Sequence, residues 1–157
     1  MMQRCFYLCV FCIVWLFAAT SFASVPLNAF ASKISLDGHF EHFVDAKSEL
    51  SFTAIAQPDF IKTHFVPLHS SRSLGYNADA HWFRAVLNPA PDAPKRWVLV
   101  VGSAELENVD VWLGDDVRGF QHYALGYHRS YENRPLGTRL FSIPMDVFVG
   151  TQIYLRV

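Results

Sequence analysis

The sequence predicts a mainly β fold, a β-sandwich of jelly-roll type with one short helix near its N-terminal end. Three observations carry this expectation. Short apolar runs with period-two alternation recur from His81 to the last residue. Gly, Pro and Asp punctuate them at the breaks, as at Asn88–Pro94, Gly114–Asp116, Gly137 and Gly150. Only one stretch, about Glu49 to Gln57, has apolar residues at helical spacing (Phe52, Ile55, Ala56).

The chain opens with a different kind of segment. Met1–Arg4 carries one positive charge, Cys5–Ala19 is unbroken and apolar, and Ser21 and Ala23 are the small residues a signal peptidase needs before Ser24. Residues 1–23 therefore read as a cleavable signal peptide, too short in its apolar run to span a bilayer comfortably. Roughly 134 residues remain, a size that suits one domain with one core. Residues 24–33 read as a lead-in linker and residues 34–157 as the folded domain. All three cysteines, Cys5, Cys9 and Cys12, fall inside the signal. The exported part thus has no disulfide framework, no thiolate nucleophile and no cysteine-based metal site.

Strand by strand, a first run is expected at His39–Val44. Asp45–Ser48 offers helix-capping residues and Pro58 is expected to end the helix. Phe60–Tyr76 reads mostly as loop. His81–Leu87 alternates, and Asn88–Pro94 is a proline-rich turn. Arg96–Val101 is apolar on both faces, the pattern of a central buried strand. Val109–Leu113 alternates again, followed by Phe120–Tyr127, Thr138–Ile143 and Gln152–Val157. The chain stops at Val157 within an apolar strand pattern, which suggests truncation of a longer protein.

The alternation sorts side chains into two faces. One carries Phe83, Ala85, Leu87, Val109, Val111, Leu113, Ile153, Leu155 and Val157, a core face. The other carries Trp82, Arg84, Asp110, Trp112, Gln152, Tyr154 and Arg156. Flat rings beside Arg and Asp suit a sugar or a small anion, because rings offer apolar contact and guanidinium offers directional donors. Trp82, Arg84, Asp110, Trp112, Tyr154 and Arg156 are therefore the candidate ligand-binding residues. The same residue types also stabilise sheets as ordinary cross-strand pairs, and the short helix is a candidate cover for them.

Other chemistry finds little support. The exported part is weakly acidic, since all fourteen acids but only twelve of the thirteen bases lie in it, and it has no Lys/Arg cluster for nucleic acid or anionic lipid. The seven histidines are scattered, and His39 and His42 fall on opposite faces of a strand. Glu105, Glu107, Asp115 and Asp116 sit near turns rather than as a facing pair. No nucleophile elbow, triad or phosphate loop is present. No catalytic residue, metal site or cofactor is expected, and the domain is not read as an enzyme.

The order of features resembles a known module. The stretches HFEHFVDAKSELSFTAIA (39–56), LGYNADAHWFRAVLNP (74–89), WVLVVGSAELENVDVWL (97–113) and IYLRV (153–157) are similar to the seven-transmembrane DISM extracellular domain, type 2. Gly75-Tyr76, Trp82-x-Arg84 and Leu87-x-Pro89 carry most of the likeness. The resemblance implies a jelly roll similar to carbohydrate-binding modules and a periplasmic ligand-sensing role, with sugars among the candidate ligands. It also implies a membrane helix bundle and an output domain, such as a diguanylate cyclase or histidine kinase, in a missing C-terminal part. The expected partner is a small molecule. No nucleic acid is expected, and membrane contact comes only through the signal or that missing bundle. A stand-alone exported protein-interaction β domain is the alternative.

Overall fold

The computed structural model describes residues 24–68 and 78–157. The signal-peptide expectation and the Gly75-Tyr76 pair lie outside these. Among the described residues there are nine strands: β1 (Ser24–Leu27), β2 (Phe40–Asp45), β3 (Val66–Leu68), β4 (Ala80–Pro89), β5 (Arg96–Val101), β6 (Val109–Asp115), β7 (Gly119–Leu125), β8 (Phe141–Asp146) and β9 (Thr151–Arg156). Two short helices, α1 (Phe52–Ile55) and α2 (Pro58–His64), follow β2. A single turn of 3-10 helix occupies Tyr131–Asn133.

The strands form a large sheet in the order β3-β2-β4-β9-β6-β7, with β1 also on β4, and a second sheet of β5 and β8. All pairings are antiparallel except β1 with β4. The mainly β sandwich expected from the sequence is therefore present, with two sheets of very unequal size.

The predicted core face lies between the sheets. Ala85, Leu87, Val109, Val111, Leu113 and Ile153 from the large sheet meet Leu99, Phe141 and Ile143 from the small one. Leu155 and Val157 join its margin, whereas Phe83 packs instead on Phe40, with ring centres 5.8 Å apart. The opposite face of the large sheet has its own apolar cluster. There Ile55, Ile61 and Phe65 from the helical segment bury Trp82 and Tyr154. The sheet is thus covered on both sides, by β5–β8 on one and by α1–α2 on the other.

Several expectations need correction. The 24–33 linker begins with β1, whose Val25 and Leu27 are fully or nearly fully buried against β4. With Pro26 at its centre this run has no strand signature, and tertiary burial overrides that weak propensity. The helix is split in two: Ser51, not Asp45–Ser48, caps α1 through its hydroxyl, and Pro58 starts α2 as its first residue. Proline suits that position because its missing N–H would have no helical partner there. Phe60–Leu68 is accordingly α2 and β3 rather than loop. Strand β4 runs on to Pro89, β6 through Asp115, and the eighth strand starts at Phe141 and includes Pro144. Strand β5 is no central strand: it pairs with β8, and its Val98 and Val100 are each 48% exposed. Only its Trp97–Leu99–Val101 side is turned to the core. Glycine is required at position 126, where φ is +132° and an added Cβ would lie 2.2 Å from the carbonyl oxygen of Glu107.

Candidate functional site

The register of four pairings lines up the second face of the large sheet into rows. One row runs Phe43–Trp82–Arg156–Asp110–Ala124 across β2, β4, β9, β6 and β7. The next runs Glu41–Arg84–Tyr154–Trp112–His122. All of the candidate residues named from the sequence fall in these two rows, on the adjacent strands β4, β9 and β6. Alternation put them on one face, and strand order made them neighbours.

The helical segment decides how much of them reaches solvent. Trp82 and Tyr154 are each 1% exposed, beneath Ile55, Ile61 and Phe65. Phe52 of α1 stacks on Trp112 with ring centres 4.9 Å apart and planes within 4°. It also meets Phe120 and Tyr154 edge-on. Trp112 in turn stacks on Trp82 at 5.2 Å and on His122 at 4.5 Å. A continuous run of rings thus leads from the buried interior out to His122, whose side chain is 45% exposed.

The polar groups form two networks. In the first, Arg84 Nη1 donates to Glu41 Oε2 at 2.6 Å, while its Nε and Nη2 donate to Gln152 Oε1 at 3.2 and 3.1 Å. Arg84 Nε also donates to the Tyr154 hydroxyl at 3.1 Å, and that hydroxyl donates to Gln152 Oε1 at 3.0 Å. Gln152 Nε2 donates onward to Asp116 Oδ2 at 3.1 Å. Burial pushes the Tyr154 hydroxyl above its ordinary pKa, partly offset by Arg84. It therefore stays protonated and able to donate.

In the second network Asp110 is the hub. Its Oδ1 lies 2.8 Å from His122 Nε2 and its Oδ2 lies 3.9 Å from Arg129 Nη2. Arg156, on the neighbouring strand, donates from Nη2 to the Ser48 carbonyl at 3.1 Å, with its guanidinium 5.7 Å from the centre of the Trp82 ring. Two donors here are sealed from solvent without an acceptor, Trp82 Nε1 and Arg156 Nε. Such groups cost on the order of 1–3 kcal/mol each when left unpaired.

Glu41, His122 and Arg129 belong to these networks and were missed from the sequence. For His122 a signal existed: folding β6 and β7 back about Asp116–Arg118 sets it opposite Trp112. Arg129 follows the hairpin and no periodicity points to it. Asp115, near the same turn, is held below the ordinary carboxylate range by the backbone N–H groups of Arg118 and Val117 and by the Arg118 guanidinium. It fastens the turn. Among the described residues no group of three His, Asp or Glu side chains is placed to hold a metal ion.

A family model, 7TMR-DISM extracellular 2, matches residues 37–157, every strand but β1. The chain belongs to this family. As a 7TMR-DISM extracellular domain it is the periplasmic sensor module of a membrane receptor. A sensor domain of this type is not itself catalytic. No curated protein and no solved structure matches the chain. Among the described residues no helix is long and apolar enough to cross a membrane.

Proposed function

We propose that this 7TMR-DISM extracellular domain binds a small polar ligand, carbohydrate-like in offering both a flat apolar surface and hydrogen-bonding groups, at the rim of the helix-covered face. The observation that carries this reading is the pair of adjoining rows. They bring Trp112, Asp110 and Arg156 together at the edge of α1, backed by Trp82, Arg84 and Tyr154. Rings that stack in series beside charge-bearing donors and acceptors suit a ligand with an apolar face and polar edges. Occupancy at this rim bears directly on α1 through Phe52, so binding alters the helical cover. The output, for example a diguanylate cyclase or histidine kinase, would lie in a C-terminal part beyond Val157.

The test is a thermal-shift panel of neutral sugars, sugar acids, amino acids and inorganic anions against the protein. A ligand that binds only the folded state must raise its melting temperature. The reading expects at least one hit, lost when Trp112 is replaced by Ala. A panel without a hit rejects it. A second reading, a protein-interaction module without sensory output, draws on Val98 and Val100, half exposed on the outer side of β5. It predicts that changing these residues abolishes capture of a partner while the small-molecule panel stays silent.

A further inference from the structure

The orphaned donors point to the chemical class of the ligand, on the premise that this face is where the ligand binds. Trp82 and Arg156 are register partners on β4 and β9, and the guanidinium lies over the indole. Trp82 is 1% exposed, yet its Nε1–H has no acceptor, and Arg156 Nε is equally sealed and equally unpaired. Among the described residues these are the buried side-chain polar atoms without a partner, and both are donors.

The neighbouring carboxylate does not serve them. Asp110 flanks Arg156 across β6, but its oxygens are engaged by His122 and Arg129. Asp45, another carboxylate on this side of the sheet, is buried and accepts from the Leu50 N–H instead. What completes two such donors is an acceptor, and toward a guanidinium an anionic acceptor makes the shorter and stronger hydrogen bonds. A neutral hydroxyl would satisfy one donor, and its bond to the guanidinium would be the weaker one.

We propose that, as the α1 cover lifts from Trp82, the ligand presents a carboxylate to Arg156 and Trp82, so that small organic acids rather than neutral sugars are its class. The carboxylate comes from either a uronic acid or an amino acid. The apolar face of the first takes the place of Phe52 against Trp112. The ammonium of the second faces Asp110.

The experiment compares D-galacturonate, D-galactose and L-alanine by thermal shift and isothermal titration on the protein, its Arg156→Lys variant and its Trp82→Phe variant. Galacturonate and galactose differ only in carboxylate against hydroxymethyl. The expected result is that at least one acid binds about tenfold or more tightly than galactose, which corresponds to about 1.4 kcal/mol. Arg156→Lys keeps the charge but removes the Nε donor, and should weaken the acid about tenfold while leaving galactose unchanged. Trp82→Phe keeps a ring and should weaken the acid likewise. Tighter binding of alanine than of galacturonate assigns the amino-acid source, and the reverse assigns the sugar acid. Galactose binding as well as the acids, or variants that bind acids normally, overturns the carboxylate proposal while leaving a ligand site in place. If neither acid binds, the proposal is also overturned, and the wider panel then judges the sensor reading independently. A Trp82→Phe variant that is more stable yet unaltered in binding assigns the orphaned donors to the fold alone.

Discussion

Glu41 and Arg84 face each other across β2 and β4, with Arg84 Nη1 2.6 Å from Glu41 Oε2 and both side chains largely buried. Removing one member of such a pair leaves a charge whose desolvation is no longer compensated. Glu41→Ala should therefore destabilise the domain by about 3 kcal/mol in urea unfolding. Gln152 and Tyr154 also accept from Arg84, so the guanidinium keeps neutral partners after the change. A loss below about 1 kcal/mol, the range of exposed ion pairs, would show that solvent reaches the pair.

His42 and His81 form a second contact between the same strands, on the opposite face. Their ring nitrogens are 3.0 Å apart and the rings stack with planes within 9°. Burial, and then the neighbouring His81, hold the His42 pKa below its ordinary 6.5. A histidine with a lowered folded-state pKa binds its proton more readily in the unfolded chain. Its contribution to stability is complete above about 6.5 and is lost as pH falls from there toward the folded value. Unfolding free energy measured from about pH 7.5 to about pH 5 should decline, and His42→Gln should flatten that decline. An unchanged slope in the variant would remove His42 from the account.

The parallel strand β1 lies outside the residues matched by the family model yet inside the fold. Val25 is 0% and Leu27 4% exposed, and both belong to the core between the sheets. The double change Val25→Ala and Leu27→Ala should cost about 4 kcal/mol in chemical unfolding, from lost burial and the cavity left behind. A protein lacking Ser24–Leu27 should lose at least as much. If either variant matched the parent protein, β1 would be a dispensable appendage.

The sequence made some of this legible and hid the rest for identifiable reasons. Alternation separated Val111 and Ile153 from Trp112 and Tyr154, because side-chain period in a strand is fixed by backbone geometry. That Arg84, Tyr154 and Trp112 share a row depends on β9 inserting between β4 and β6, and no local signal encodes such a long-range pairing. Strand β5 misleads because Val98 and Val100 are as apolar as Leu99, while only the Leu99 side finds a covering sheet. Strand β1 is short, contains Pro26 and pairs in parallel, so propensity is silent about it. The covering of Trp82 follows from α2, where Pro58 reads locally as a helix stop but acts as a start.

That cover supplies the last prediction. Ile55 is 0% exposed at the end of α1 and packs in the cluster that seals Trp82 and Tyr154. Helices of four and seven residues have almost no stability of their own, so they hold their place through this packing. Ile55→Ala should cost about 3 kcal/mol if the helical segment unfolds together with the sheets. If the segment opens on its own, the cost appears locally instead. Amide exchange in Phe52–His64 should then accelerate far more than in β6 and β9, because local opening has its own smaller free energy. A ligand that takes the place of Phe52 against Trp112 should speed the same amides while leaving β6 and β9 unchanged. Uniform exchange across helices and sheets, with and without ligand, would mean that the cover is a fixed part of the core and does not report on the site.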